Sequence, residues 1–240
     1  MHSPKYLEIY RVLREKIEMD SYPKGSTLPS EYQLVEEFGC SRNTIRRAIH
    51  GLAQDGYVQS VQGKGVVVLR RAIVQSEFTI GRIESMREAA ERNGMTYYTK
   101  VISLEDDIID KAHSKITGFA PGTRVWIVRR IRYLDGEALI LDTNWLDQRI
   151  VPEFSTEHAE KSLYDYLEGE LGINIVTSLR RFTVDPCRQA DYQYLKMGEY
   201  NCVALVSCRT FNDDGIQFEY TESRHRPDRF IFFTQAKRYT

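Results

Sequence analysis

A group of side chains suited to reading DNA follows a tight turn at Gly39-Cys40-Ser41. The group comprises Arg42, Asn43, Thr44, Arg46 and Arg47. An arginine near the start of a helix can form two hydrogen bonds with guanine O6 and N7 in the major groove. The Ser41 and Thr44 hydroxyls, and the free N–H groups of a helix start, suit phosphate oxygens. The alternative is a set of solvated arginines, which would be the better interpretation for an isolated helix.

The residues that follow predict a β-hairpin with a basic tip. The β-branched runs at Tyr57–Val61 and Val66–Leu69 favour two strands. Between them, Gly63 and Gly65 permit positive φ and close approach of the backbone. Lys64 lies at the tip, where it can reach a phosphate or a minor groove. A Gly-x-Gly hairpin alone is usually only a turn, so its significance comes from its place after the arginine-bearing helix.

Three helices are predicted to hold the arginines in place. The first runs from Pro4 to Met19, and the second begins at Ser30 with Gln33 as its capping-box partner. The third begins after a Ser41 cap and ends near Asp55, and its apolar residues recur at three- and four-residue steps. Those apolar residues are Ile45, Ala48, Ile49 and Leu52. Together with the hairpin, this pattern indicates a helix-turn-helix with a β-hairpin wing.

The composition is that of a globular protein with little overall charge. Hydrophobic residues make up 42% of the chain, charged residues make up 28%, and the formal net charge is −1. Residues 1–70 carry ten basic and eight acidic side chains, so DNA binding would depend on where the arginines lie. No apolar run approaches the ~20 residues of a membrane helix, and the first residues lack the apolar region of a secretory signal. We therefore expect a cytoplasmic protein with no membrane partner.

Arg130 and Arg132 form a second candidate site. They lie two residues apart on a predicted strand, so both side chains point to the same face of the sheet. Two adjacent guanidinium groups repel each other unless an anion or a carboxylate lies between them, and the planar fork of arginine suits phosphate. Spacing alone favours a salt-bridged face on an exposed sheet over an anion site.

The rest of the chain alternates strands with short helices, which predicts an α+β domain over residues 78–240 after a linker at 71–77. Helices are expected at Ser85–Asn93, Asp107–Ile116, Ser162–Leu171 and Gln189–Leu195. Strands are expected at Tyr97–Leu104, Val125–Leu134, Glu137–Asn144, Ile173–Val184, Cys202–Phe211, Ile216–Ser223 and Phe230–Ala236. Asp135-Gly136 marks a tight hairpin turn.

Several runs in the first 70 residues resemble the winged-helix domain of the GntR family of bacterial transcription regulators. They are Leu28-Pro29-Ser30-Glu31, Ser41-Arg42-Asn43-Thr44-Ile45-Arg46-Arg47-Ala48, Asp55-Gly56-Tyr57 and Gly63-Lys64-Gly65. The resemblance implies a homodimer that binds double-stranded operator DNA. It implies DNA contacts at Ser30, Glu31, Ser41, Arg42, Asn43, Thr44, Arg46, Arg47, Gly63, Lys64 and Gly65.

The C-terminal part resembles the UTRA domain of the HutC-type branch of that family, a mainly antiparallel sheet of the chorismate-lyase type. The matching runs are Arg130–Glu137, Ser162–Leu167 and Glu219–Phe230. The resemblance implies that Arg130 and Arg132 bind the phosphate of a small-molecule effector, against what spacing alone favours. It implies further effector contacts at Ser85, Met86, Arg87, Asp142, Ser162, Tyr164, Glu219 and His225. Met86 and His225 depart from the aromatic residues often found at their positions.

Within that branch, the runs Leu163–Gly172 and Glu219–Arg226 are most similar to regulators of trehalose use. The resemblance thus implies a repressor of a sugar-utilisation operon, released from its operator by trehalose 6-phosphate, with no cofactor and no metal. The main alternative effector is another phosphorylated sugar, such as an amino sugar phosphate, because the two arginines do not distinguish one sugar phosphate from another.

Three further functions are weaker alternatives. A histidine catabolite as effector fits the two arginines less well than a phosphate does. A constitutive architectural DNA binder would need no effector. An enzyme of chorismate-lyase-like fold is also possible in principle, because fold does not fix function. The histidines form no recognisable catalytic set with serine or cysteine: His2, His50, His113, His158 and His225.

Overall fold

The computed structural model of the protein describes residues 4–69, 77–79 and 83–233. The chain divides into two compact units, one comprising residues 1–82 with 231–240 and the other comprising residues 83–230.

The observed division differs from the predicted boundaries at both ends of the second unit. Strand β3 (Glu77–Thr79) pairs in parallel with β10 (Ile231–Phe233) in a small two-stranded sheet, so both strands belong to the first unit. The predicted linker therefore extends into β3 at Glu77, and its residues 71–76 lie outside the described part of the chain. The last strand is shorter than expected within the described residues, and the predicted positions 234–236 lie outside them.

Three helices open the first unit: α1 Lys5–Glu18, α2 Glu31–Phe38 and α3 Arg42–Gln54. Ser30 caps α2 and forms the predicted capping box with Gln33. Gly39 ends that helix with a φ of 56°, in the left-handed region that glycine adopts without strain. Ser41 then caps α3 by accepting a hydrogen bond from the N–H of Thr44. The sequence patterns thus place both helix starts of the helix-turn-helix correctly.

The wing and the helices share one apolar core. Strands β1 (Val58–Val61) and β2 (Gly65–Val68) form an antiparallel hairpin. Most buried residues of the core come from α1, α2, α3 and the wing: Ile9, Tyr10, Leu13, Ile17, Leu34, Ile45, Ala48, Ile49, Leu52, Val58 and Val68. Because the predicted stripe of α3 faces this core, the opposite side of the helix is left to solvent.

The second unit is built on a six-stranded antiparallel sheet in the order β4-β5-β6-β9-β8-β7. Its strands are β4 Tyr97–Ile108, β5 Arg124–Leu134, β6 Glu137–Asp147, β7 Ile175–Pro186, β8 Cys202–Asn212 and β9 Gln217–His225. The turn between β5 and β6 has positive φ at both Asp135 and Gly136, as a two-residue hairpin turn requires. The mainly antiparallel α+β fold expected from the sequence is confirmed.

The helices of this unit are short. They are α4 Met86–Arg92, α5 Lys111–Thr117, α6 Thr156–Glu160, α7 Leu163–Asp165 and α8 Gln189–Tyr194. A π-helical turn, Tyr166–Glu170, continues α7, and a 3₁₀ turn covers Pro227–Arg229. None of the described helices is long and apolar enough to cross a membrane.

One local prediction was wrong, one was right in extent only, and one helix was not expected. The helix expected from Asp107 begins only at Lys111, because Asp107 and Ile108 still pair with β5 and Asp110 supplies the cap. The helix expected at 162–171 is confirmed in extent, from the Ser162 cap to Leu171, but it consists of an α-turn followed by the π-helical turn. Helix α6 was not expected, since its short sequence carries no apolar period.

The two faces of the sheet are covered by different elements. Helices α6 and α7 and the π-helical turn pack on one face, in a core that includes Val128, Leu146, Ala159, Leu163 and Leu167. Residues around α8 cover part of the other face, in a core that includes Ile131, Leu141, Leu195, Met197 and Val203. The first of these faces carries the predicted effector contacts Arg130, Arg132, Asp142 and Glu219, and it is called the effector face after that prediction.

Candidate functional site

The start of α3 presents a polar surface on the first unit. Arg42, Asn43 and Arg46 are exposed, on the side of the helix opposite the core. The hydroxyls of Ser41 and Thr44 lie 2.8 Å apart, and Ser41 also caps the helix. The predicted DNA contacts Arg42, Asn43 and Arg46 therefore lie on an exposed surface.

Glu31 binds both arginines of this surface. Its carboxylate accepts a hydrogen bond from Arg42 Nε at 2.6 Å and from Arg46 Nε at 3.0 Å. Hydrogen bonds from Arg46 and Arg42 hold the pKa of Glu31 below its ordinary value, so the carboxylate is ionised at neutral pH. Glu31 therefore fixes the directions of two guanidinium groups and offsets part of their charge.

Arg47 is placed differently from its neighbours. Its guanidinium carbon lies 4.2 Å from the centre of the Tyr6 ring of α1, a cation–π contact. Ser30 is engaged in the capping box of α2, where both its N–H and its hydroxyl lie 2.9 Å from Gln33 Oε1. These two residues thus have structural roles besides any contact with DNA.

The wing tip is exposed and has left-handed backbone at two positions. Gly63 and Gly65 have φ angles of 78° and 94°, which side chains with a Cβ rarely adopt. Lys64 lies between them and is exposed. The hairpin therefore presents one lysine at its tip, as the sequence predicts.

The effector face of the second unit carries a row of buried polar side chains. Register pairs place Arg130 opposite Asp142, and Asp142 opposite Ser223. Arg132 lies two positions along β5 from Arg130 and faces Thr99 on β4. The sheet thus brings both predicted arginines and one predicted acid onto one face, beneath α6 and α7.

Arg132 is held by a buried ion pair. Its Nε donates to Asp142 Oδ2 at 2.8 Å, and its Nη1 donates to Thr99 Oγ1 at 2.8 Å. Burial alone would raise the pKa of Asp142, but Arg132 and Arg130 outweigh burial and hold that pKa below its ordinary value. The arginine pair therefore has a carboxylate between its members, one of the two solutions that its spacing allows.

Arg130 is fully buried, with 0% of its side chain exposed. Its guanidinium donates to the Ala159 carbonyl at 3.1 Å and to Asn144 Oδ1 at 2.7 Å. Its Nε is buried and has no hydrogen-bond partner among the described residues. Burial, together with the nearby charge of Arg132, lowers the pKa of Arg130 to about 9. A buried cation with an unused donor is a strong candidate for binding an anion.

Two further predicted residues extend this site along the sheet. Glu219 is buried on β9 and accepts from Asn144 Nδ2 at 2.7 Å, and burial raises its pKa. His225, also on β9, is buried beside the ring of Phe230. Burial lowers the pKa of His225 to about 4, against the opposing charge of Asp142, so the ring is neutral at physiological pH.

Ser162 and Tyr164 enter the site from the covering layer. The Ser162 hydroxyl accepts from the N–H of Asp165 and caps α7. Tyr164 is half-buried, and burial raises its pKa well above the ordinary value, so it stays a neutral donor and acceptor. Tyr164 therefore lies near Glu219 of the polar row, whereas the Ser162 hydroxyl has a capping role in α7.

The predicted anion cradle at the start of α4 is partly engaged. The Ser85 N–H donates to Glu88 Oε2, and the Ser85 hydroxyl accepts from the Glu88 N–H. Arg87 forms a two-pronged ion pair with Asp165 of α7, with N–O distances of 2.5 and 2.8 Å. Met86 is partly buried. These contacts connect α4 to the layer that covers the effector face.

Asn144 is the main residue of this site that the sequence analysis missed. It lies on β6, two positions from Asp142, and joins Arg130 to Glu219. The signal was present, because polar residues at 142 and 144 break an otherwise apolar strand on one face. Among the described residues, no group of three or more His, Cys, Asp or Glu side chains could hold a metal ion.

Comparisons with known proteins connect both units to characterised families. The family described as "Bacterial regulatory proteins, gntR family" matches residues 5–68, and the UTRA domain matches residues 92–231. The HTH-type transcriptional regulator TreR of Bacillus subtilis is 36% identical over 234 residues, which cover 98% of each chain.

Two solved structures are also similar. The effector-binding domain of the B. subtilis trehalose repressor covers 60% of this chain and 99% of its own, with 33% identity and a TM-score of 0.54. The possible transcriptional regulator YydK of B. subtilis covers 98% of this chain and 100% of its own, with a TM-score of 0.79. At 22% identity, the second likeness concerns the fold alone.

Proposed function

The chain belongs to the GntR family of bacterial regulatory proteins and carries a UTRA domain, and we propose that it represses a trehalose-utilisation operon. In this proposal a homodimer binds operator DNA in the cytoplasm through the start of α3 and the wing tip. Trehalose 6-phosphate binds the effector face and releases the dimer from DNA. The coarser function, a transcriptional regulator with a DNA-binding and an effector-binding part, follows from family membership.

One observation carries the effector part of the proposal: the unused Nε of the fully buried Arg130. Burial of a guanidinium with an unpaired donor is costly unless a ligand uses it. Arg132 lies beside it, and the phosphate group of a ligand can accept from both forks. Asp142 and Glu219 offer acceptors for sugar hydroxyls nearby. The site therefore suits a molecule with one anionic end and one polyhydroxyl end.

Trehalose is favoured among sugars because of the relatives. The regulator TreR shares 36% of its residues with this chain along almost the whole length, and the similar effector domain is named as that of a trehalose repressor. The geometry of the arginines supports a phosphorylated sugar, and the relatives support trehalose as the sugar.

The proposed mechanism is a shift of population between two arrangements of the dimer. An effector changes DNA affinity only if it binds the non-DNA-binding arrangement better. A helix-turn-helix dimer reads half-sites about 34–36 Å apart, or multiples of that distance. We propose that anion capture by Arg130, Arg132 and the segment Ser85–Arg87 repositions α4, and that the linker transmits this change to the winged helices.

The proposed homodimer has a candidate contact at β7. This strand lies at the edge of the six-stranded sheet, so one side of its backbone is unpaired in the sheet. Val176, Leu179 and Val184 on β7 are exposed. A long edge strand with exposed apolar residues is a template for pairing with another strand. A second copy of β7, running antiparallel, would cover this edge and bury those side chains.

A DNA titration tests the function directly. The operator fragment is labelled, and its affinity for the protein is measured alone and with trehalose 6-phosphate, glucose 6-phosphate, an amino sugar phosphate or unphosphorylated trehalose. We expect trehalose 6-phosphate to weaken operator binding most. Release by a different sugar phosphate would refute trehalose as the sugar, and an unchanged affinity with every compound would refute effector-controlled repression.

A further inference from the structure

Asn144 lies at the centre of the effector face and contacts two neighbouring strands. Its strand, β6, runs between β5 and β9, and only 3% of the residue is exposed. Its carbonyl oxygen accepts from Arg130 Nη2 on β5 at 2.7 Å. Its amino group donates to Glu219 Oε1 at 2.7 Å and to Thr221 Oγ1 at 2.9 Å, both on β9. One amide thus connects a buried cation to a buried acid.

The chemistry of this position requires a neutral group with an acceptor at one end and donors at the other. The asparagine amide has both in a fixed plane. A carboxylate at position 144 would attract Arg130 but repel Glu219, and an ammonium group would do the reverse. The identity of the neighbours also assigns the orientation of the amide, because only one orientation satisfies all three contacts.

The two arginines of the site differ in how their charge is balanced. Arg132 forms a direct ion pair with Asp142, with 2.8 Å between Nε and Oδ2. Among the described residues, no ion pair joins Arg130 directly to Glu219; the Asn144 amide lies between them. A buried cation and a buried carboxylate attract each other strongly in a medium of low dielectric constant. A neutral amide of fixed length therefore keeps Arg130 and Glu219 apart.

We infer that Asn144 is a positioning residue that holds Arg130 ready for the anionic end of the ligand and Glu219 ready for its hydroxyls. It keeps the two charged groups from forming a direct ion pair with each other. This inference rests on the proposed function of the effector face, and it assigns a role to a residue that would not itself have to touch the ligand.

Two substitutions separate the two contacts of the amide. Asn144→Asp keeps an acceptor for Arg130, now as a charged partner, and removes the donor to Glu219. In Asn144→Leu the new side chain has nearly the same shape as asparagine but can make neither contact. Arg130 then loses the hydrogen-bond acceptor at position 144. The ligands are trehalose 6-phosphate and its two fragments, inorganic phosphate and trehalose. The affinities of the two fragments are measured by NMR titration at millimolar concentration.

The two variants should change the affinities for the two fragments differently. In Asn144→Asp the new ion pair with Arg130 should lower the affinity for inorganic phosphate about 10- to 100-fold. This range corresponds to the free energy of a hydrogen bond to a charged group. In Asn144→Leu phosphate affinity should fall only about threefold, because Arg130 loses the acceptor that positions it but gains no competing charge. Trehalose affinity should fall about tenfold, because Glu219 loses its donor. Trehalose 6-phosphate should bind both variants more weakly than it binds the wild type.

A matched control makes the same change at an exposed asparagine. Asn174 is exposed and donates to Asp213 at 2.7 Å, so Asn174→Asp should leave the affinity for all three ligands unchanged. Circular dichroism and thermal unfolding establish that each variant is folded. A general loosening of the fold would weaken phosphate and trehalose equally in both Asn144 variants, and that result would overturn the inference.

A measurement on the wild-type protein covers the case in which the variants do not fold. The side-chain amide resonances of Asn144 should shift when inorganic phosphate is added alone and again when trehalose is added alone, since the amide contacts both halves of the site. Ligand binding without any shift of these resonances would contradict the inference. If the wild type binds no sugar phosphate at all, the proposed function fails instead.

Discussion

Arg132 and Asp142 form an ion pair of 2.8 Å on the effector face, where only 8% and 5% of the two residues are exposed. Removing one member of such a pair leaves the other charge buried without compensation. We expect Asp142→Asn to lower the free energy of unfolding of the second unit by about 3 kcal/mol at pH 7. Urea unfolding measures this effect, with the fluorescence of Trp126 and Trp145, both in that unit, as the probe.

The same variant should change how stability depends on pH. The folded-state pKa of Asp142 is lowered by Arg132 and Arg130 against burial. Its contribution to stability is therefore fully present above the ordinary aspartate pKa of about 3.9 and is lost as pH falls through the folded value. Asp142→Asn cannot titrate, so it should lose less stability than the wild type on acidification. Asp213→Asn, an exposed carboxylate, is the control and should behave like the wild type.

Arg132→Ala should abolish the stabilisation of the protein by its effector. Ligand binding raises the apparent stability by RT ln(1 + [L]/Kd), about 2.7 kcal/mol at a concentration of 100 Kd. In a thermal-shift assay the wild type should show this rise with trehalose 6-phosphate, and Arg132→Ala should show little or none. Arg129→Ala is the matched control, because Arg129 lies on the same strand but on the opposite face and pairs with Glu105 at the surface. A full shift in Arg132→Ala would place the phosphate elsewhere.

Local patterns in the sequence predicted the elements that have local causes. The capping box of Ser30 and Gln33, the Ser41 cap and the Asp135-Gly136 turn are formed by residues within three positions of one another. The period-two spacing of Arg130 and Arg132 likewise predicted their common face. Each of these features depends on the backbone near the residue and can be read from a few letters.

The features that the sequence did not predict join residues far apart in the chain. The contact between Asn144 and Glu219 spans 75 positions. The pairing of β3 with β10 joins two strands that are separated by more than half of the chain. The spacing of the arginines left two solutions open, an anion or a carboxylate between them, and the structure contains the carboxylate of Asp142. The π-helical turn after α7 depends on packing against the sheet, for which no short sequence pattern exists.

Arg42→Ala should weaken operator binding at least tenfold and leave effector binding unchanged. A guanidinium that reads one guanine contributes about 1–3 kcal/mol of discrimination, and a dimer loses the contact twice. Arg11→Ala, at an exposed position of α1, is the matched control and should bind the operator almost normally. Fluorescence anisotropy with labelled DNA gives the affinities. If both variants bind equally well, α3 does not read the operator through Arg42.

Asp165→Asn should strengthen the binding of the phosphorylated effector. Arg87 of α4 forms an ion pair with Asp165 of α7. Both side chains are substantially exposed, so the ion pair adds little to stability, and its loss would free Arg87 for the ligand phosphate. We expect an affinity about two- to fivefold higher by calorimetry, with an unchanged melting temperature. Glu157→Gln, which breaks the exposed pair with Lys161, should leave the affinity unchanged.

Val184→Lys should weaken the homodimer and, with it, binding to a two-half-site operator. Val184 is 73% exposed on the edge strand β7, where a second antiparallel copy would bury it against apolar residues. A lysine on an edge strand opposes such pairing. Sedimentation should show a shift from dimer to monomer, and operator affinity should fall because two linked half-sites bind far more tightly than one. Ile108→Lys, at an exposed position of the opposite edge strand β4, controls for the added charge. If Val184→Lys sediments as a dimer, the subunits meet at a surface other than β7.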